Sequence, residues 1–155
     1  MTIMKQLAKN FRDLYFGGNW TAVNVKDTLA GVSWEQATRK VDDLNTIAAL
    51  VFHSGYYVTA VLKVFKGEPL KASDKFAFDL EPITSEEDWQ KLVSRVFAEA
   101  EEFASQIEQL DERVLFETFQ QEKYGNYFRN IVGIIEHTHY HLGQIVLLKK
   151  MLKGL

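Results

Sequence analysis

The chain carries four histidines, His53, His137, His139 and His141. Three crowd one stretch, Glu136-His137-Thr138-His139-Tyr140-His141-Leu142-Gly143-Gln144. Imidazole is the commonest side-chain ligand for transition metals, and near neutral pH it also moves protons. On an α-helix, the spacing of His137 and His141 stacks them on one face, with Cβ atoms about 5–6 Å apart. Two imidazoles so placed can bind one ion together. His139 lies roughly 200° around the helix from each, so it cannot share that ion unless the helix unwinds. The stripe through Ile134, His137, His141, Gln144 and Leu148 has apolar neighbours in Ile131, Ile145 and Leu152. The pair therefore faces the interior or its edge. His53 shares a helical face with Leu50, Tyr57 and Val61, which is also apolar. Three neutral imidazoles suit Zn²⁺, Ni²⁺, Fe²⁺ or Cu²⁺. Three protein ligands leave positions open for water, which is the catalytic rather than the structural pattern. The plain alternative is packing. A buried histidine without a partner costs roughly a few kcal/mol, however, and three in one core are hard to explain without a ligand.

Neighbouring residues offer supporting chemistry. Gln144, three residues after His141, is placed to hydrogen-bond a ligand or a metal-bound water, or else to pack beside Gly143. His139 reads as a surface or dimer-interface residue. Glu136 and His139 form one Glu-x-x-His element, but a di-iron site needs two such elements, and no second copy exists. His137-Thr138 lacks the glutamate of His-Glu-x-x-His, so a general base must come from elsewhere. Tyr57, Glu117 and Glu122 are the candidates, and Tyr56 or Tyr57 can face the site from the turn after His53. Each also fits a packing aromatic or an exposed acid. Glu99, Glu101 and Glu102 read as a solvated face.

Helices must position these groups. Only two prolines occur, Pro69 and Pro82, both in one central stretch. Ile3, Leu7, Phe11 and Leu14 predict a helix over Thr2–Phe16, ended by Gly17-Gly18. A helical piece is expected over Trp20–Leu29, with Asn19 as its N-cap and Gly31 as its stop. Ser33 and Gln36 have capping-box spacing and predict a short turn over Trp34–Thr38. Asp42 or Asp43 is expected to open the second long helix, which ends near Phe65; Leu44, Ile47, Val51, Val58 and Leu62 mark its apolar face. Residues 67–83 read as an irregular connection, with Lys75–Asp79 a candidate extended segment. Ser85–Leu110 is the third long helix, with Ser85 and Asp88 as a cap pair. After a second irregular connection over 111–126, the fourth helix covers Tyr127–Lys153 behind the N-cap Asn126. Both connections can shape the mouth of a site. The fold class expected is all-α: a four-helix bundle with a short extra helix and long inter-helix connections, one domain over 1–155.

Composition bounds the function classes. The chain has 155 residues, 46% hydrophobic and 25% charged, which is ordinary globular composition. With 21 acidic and 18 basic side chains the net charge is −3, so no nucleic-acid partner is expected. The absence of cysteine rules out disulfides, thiolate metal sites and a cysteine nucleophile. No unbroken apolar run reaches the length of a membrane span, and Met1–Asp13 lacks a signal-peptide pattern, so a cytoplasmic protein with no membrane partner is expected.

The segment His137-x-x-x-His141-x-Gly143-Gln144, late in the last helix, resembles the signature of the DinB-like superfamily, which includes the YfiT-type metal-dependent hydrolases. His53 in Val51-Phe52-His53-Ser54-Gly55-Tyr56 is similar to the earlier metal histidine of that family. Gly17-Gly18-Asn19-Trp20 resembles the aromatic turn after its first helix. The resemblance implies a four-helix bundle and a divalent metal, nickel or zinc, held by His53, His137 and His141. It also implies a homodimer. Relatives transfer low-molecular-weight thiols or act as thiol-dependent isomerases, and many have no known reaction. The expectation is a metal-dependent hydrolase or thiol transferase acting on a small molecule, the thiol coming from the cosubstrate. The alternative is a non-catalytic metal-binding or structural dimeric helical bundle.

Overall fold

The structure is a computed structural model that describes residues 1–153; the last two positions of the expected 1–155 domain lie outside the described residues. Among the described residues it is all-α. Six α-helices follow in order: α1 (Ile3–Phe16), α2 (Val25–Leu29), α3 (Trp34–Thr38), α4 (Ile47–Phe65), α5 (Glu86–Gln109) and α6 (Tyr127–Met151). Short 3₁₀ turns at Glu112–Phe116 and Glu122–Tyr124 lie between α5 and α6.

The helices start where a side chain can satisfy the free N–H groups of the first turn. Thr2, Asn24, Ser33, Thr46, Ser85 and Asn126 each accept from the backbone N–H three residues on. Ser33 and Gln36 complete a reciprocal capping box. Glu86, Glu87 and Asp88 add negative charge to the positive end of α5.

Three expectations fail, each for a local reason. The stretch after Gly18 does not become helix at Trp20. Asn19 Oδ1 accepts from Thr21 N–H at 2.9 Å, and Ala22 takes a left-handed φ of 57°. The chain therefore turns, leaves Trp20 exposed, and begins α2 only after the second asparagine, Asn24. The second long helix does not open at Asp42 or Asp43. Asp42 has φ 45°, which an α-helix does not allow, and the start falls at Thr46. Leu44 then lies outside the helix and half exposed. Lys75–Asp79 is not extended. Phe76 N–H bonds the Ser73 carbonyl, Ala77 the Asp74 carbonyl and Asp79 the Phe76 carbonyl, which curls the segment into consecutive turns.

The four long helices pack α1 on α5, α5 on α4, α4 on α6 and α6 on α1. One hydrophobic cluster runs through all of them. Phe103 is fully buried at its centre, with its ring 4.6 Å from that of Phe11 and 5.2 Å from that of Phe65. Gly55 lets α4 approach α5 closely; a Cβ there would lie 3.0 Å from Val96 Cγ2. The short elements are tied down by polar contacts. Trp89 Nε1–H donates to the Val32 carbonyl at 2.8 Å, and Lys149 Nζ donates to the carbonyls of Thr28 and Ala30 at the end of α2.

One helix, α4, is long and apolar enough to cross a membrane by length and composition alone, with a mean hydropathy of 1.4. The apolar run itself is interrupted, as the sequence reading has it, by His53 and Lys63. The window is 67% buried inside the protein, the pattern of a helix surrounded by α3, α5 and α6.

Phe103→Ala should cost about 3–5 kcal/mol, because it opens a cavity between three helices that cannot all close on it. Urea unfolding of the variant should show this as a lower midpoint with an unchanged slope.

Candidate metal centre

His53 lies about a third of the way along α4, and His137 and His141 lie two-fifths to three-fifths of the way along α6. Because α4 packs on α6, the two helices bring all three rings to one place. His53 and His141 are buried and His137 is half-buried. One nitrogen from each lies within 4.8 Å of the others, a group able to hold one metal ion. The contacts are between Nε2 atoms: His137 to His53 at 3.1 Å, and His141 to His137 at 3.1 Å.

The far nitrogens decide what these contacts mean. His53 Nδ1 lies 3.1 Å from the Ala77 carbonyl, which can only accept, so Nδ1 carries the proton. His141 Nδ1 donates likewise to Gln144 Oε1 at 2.6 Å. In the neutral rings, both Nε2 atoms are therefore lone pairs, and both point at His137 Nε2. A single proton on His137 can satisfy only one of them. One cation at the centre satisfies all three. Zn–N bonds of about 2.0–2.1 Å place two ligands on one ion roughly 3.0–3.4 Å apart, depending on the bond angle. The observed 3.1 Å falls in that range. The donor set thus fits a divalent metal. Two of the three ligands also have the acceptor behind the ring that metal-bound histidines usually have. His137 differs, since its buried Nδ1 has no partner among the described residues.

The electrostatics favour the neutral form of His137 and His53. Burial pushes His137 down to about 4, helped by the neighbouring His141 and His53. Burial also lowers His53, against the raising effect of the Ala77 carbonyl. His139 is lowered by burial too, but it is not part of the cluster.

A strap from the 67–83 connection covers the α4 side. Ser73 N–H donates to Tyr56 Oη at 2.9 Å, and Tyr57 Oη–H donates to Asp74 Oδ1 at 2.5 Å. Ala77 holds His53, and the Phe78 ring stacks on the His53 ring at 3.9 Å. Tyr57 also meets both His53 and His137 edge-on, at 5.3 and 5.0 Å between ring centroids. Burial first, then the bond to Asp74, pushes the Tyr57 phenol up to about 12, so it keeps its proton and does not act as a base near neutral pH. Glu117 and Glu122 stay exposed and do not line the cavity beside the cluster. That cavity, about 450 Å³, ends against His137 and Tyr57 and draws walls from both irregular connections, through Leu70 and Ala72 and through Phe119 and Tyr124.

The sequence reading missed Asp74, the Ala77 carbonyl and Phe78, and weighed Glu136, which lines the cavity with His137, only for a di-iron element. The available signal was an aromatic pair, Phe76 and Phe78, between Lys75 and Asp79; both are about half exposed, so neither serves the main core.

Two outcomes are expected. An unfolded histidine titrates near 6.5, so between about 6.5 and about 4 the unfolded chain binds more protons than the folded one. The contribution of His137 to stability is full above that window and is lost as the pH falls through it. Urea unfolding of metal-free protein at stepped pH should show the decline, and His137→Gln should flatten it; an unaltered slope would contradict the assignment. Separately, Phe78→Ala should leave the protein folded while amide exchange of residues 73–78 quickens about threefold to tenfold, the loss of roughly 0.5–1.5 kcal/mol of ring contact. The chain matches no protein-family model, no curated protein and no solved structure.

Proposed function

We propose that the protein is a metal-dependent enzyme built on a DinB-like four-helix bundle, in which His53, His137 and His141 hold one divalent ion, nickel or zinc. The observation that carries this reading is the convergence of three Nε2 atoms, two of them fixed as lone pairs by the hydrogen bonds behind their rings. The resemblance of His137-x-x-x-His141-x-Gly143-Gln144 and the upstream His53 to that superfamily supports it, as does the closed ring of contacts among α1, α5, α4 and α6.

The reaction proposed is hydrolysis or thiol transfer on a small molecule. A bound metal supplies Lewis acidity, lowering the pKa of a water or holding a thiolate. The chain's own residues do the rest. Gln144 and Ala77 orient the imidazoles, and Phe78 shields the His53 ring from solvent. Tyr57, its proton committed to Asp74, presents its ring edge and the lone pairs of its oxygen at the border of the cluster. The adjacent cavity favours catalysis over a closed structural site, because a ligand can reach the His137 end. A dimer of two copies is the assembly proposed with this reading.

Elemental analysis of protein purified without a histidine tag tests it. Wild type should carry close to one ion per chain, and His53→Ala, shown to be folded by circular dichroism, should lose at least tenfold in metal affinity. Equal metal content in the two proteins would overturn the reading.

A further inference from the structure

The α6 wall of the 450 Å³ cavity is formed by Arg129, Asn130, Gly133, Ile134, Glu136 and His137. These positions recur on one helical face over about two turns. From Arg129 to His137 the rise along the axis is about 12 Å. The volume suits a small organic molecule.

Gly133 stands mid-helix, where glycine is the least favourable residue apart from proline. A Cβ built on it meets nothing within 4 Å. No packed neighbour therefore demands a glycine there, and the space above it belongs to the cavity. At the outer end, the Arg129 stem occupies the room left by Gly125, where a Cβ would lie 2.6 Å from Arg129 Cδ. Gly125 has φ 74°, so glycine is favoured there on backbone grounds as well. The Arg129 guanidinium has no ion pair and no side-chain hydrogen bond among the described residues. Asn130 cannot substitute for it, since its Nδ2 already donates to the carbonyls of Tyr124 and Asn126. The wall opposite is apolar, with Ala60, Val61, Leu70 and Phe119. At the inner end the lining passes through Glu136 to His137.

We infer that this cavity takes an elongated small molecule with three parts: a carboxylate held by Arg129, an apolar middle lying over Gly133, and a reacting end against His137. Only the last part rests on the metal-centre reading. The first two stand on the shape and charge of the cavity.

The probe is decanoate, whose extended length approaches the distance from Arg129 to His137. Amide NMR titration of the purified protein, with or without metal, should show shifts centred on Gly133 and the cavity-facing turns of α6. The uncharged decanamide should bind at least about tenfold more weakly, and Arg129→Met should weaken decanoate by about the same factor. Gly133→Leu projects a side chain into the cavity from a position whose Cβ is unobstructed, and should abolish binding. Arg129→Met alters an exposed side chain and keeps the test decisive should the leucine variant misfold. Unchanged decanoate affinity in folded Arg129→Met, or shifts centred elsewhere, would overturn the inference. A second arm uses cobalt(II)-loaded protein and ω-mercaptodecanoate. A thiolate-to-cobalt absorption band should appear in wild type at lower concentrations than with mercaptoethanol, and in Gly133→Leu only mercaptoethanol should give it. Failure to bind cobalt would count against the metal reading while the decanoate arm still decides the cavity. Cobalt binding without decanoate binding would overturn the cavity inference alone.

Discussion

The candidate centre depends on two hydrogen bonds that face away from it. The Ala77 carbonyl and the Gln144 amide oxygen each take a proton from Nδ1, of His53 and His141 respectively. Those bonds settle the tautomers, and the tautomers put unshared electron pairs on the inward nitrogens. Without them the rings could rotate or hand a proton around and satisfy one another. With them, the neutral cluster holds more acceptors than donors, in a place largely shielded from water. Repulsion of that kind is tolerated in a folded protein only when something offsets it.

The scaffold holds this arrangement by ordinary packing. Long helices α4 and α6 carry the histidines, and α5 braces α4 from behind at the Gly55–Val96 approach. The bracing matters because a ligand set on two helices is only as exact as the distance between them. The irregular connections then act on the open side. One delivers Ala77 and Phe78 to the His53 ring, and both contribute walls to the neighbouring cavity.

Much of this was readable in the chain. The helical spacing of His137 and His141, and the apolar face shared by His53, came from periodicity alone, because helices α4 and α6 are long enough for the pattern to be unambiguous. The caps Ser33, Ser85 and Asn126 were equally legible, since capping is a local interaction. The misplaced starts show where local reasoning stops. Asn19 and Asn24 are both good caps by type, and only the left-handed turn at Ala22 makes the second the true start. The same holds at Asp42, whose positive φ no residue pattern announces. The strap was not legible, because a backbone carbonyl such as that of Ala77 leaves no trace in residue identity. Its partner is 24 positions away in the chain and is chosen by tertiary packing.

The three nitrogens are widely separated in the chain, with 84 positions between His53 and His137. In an unfolded chain only the pair on the last helix can stay near one another, and even that pair needs the helix. An ion that requires all three donors is therefore a ligand of the native state alone. Its capture and the docking of α4 against α6 become one thermodynamic event, in which each tenfold rise in free ion above the dissociation constant adds about 1.4 kcal/mol to the stability of the fold. The centre would then record the supply of its metal as the persistence of the protein itself.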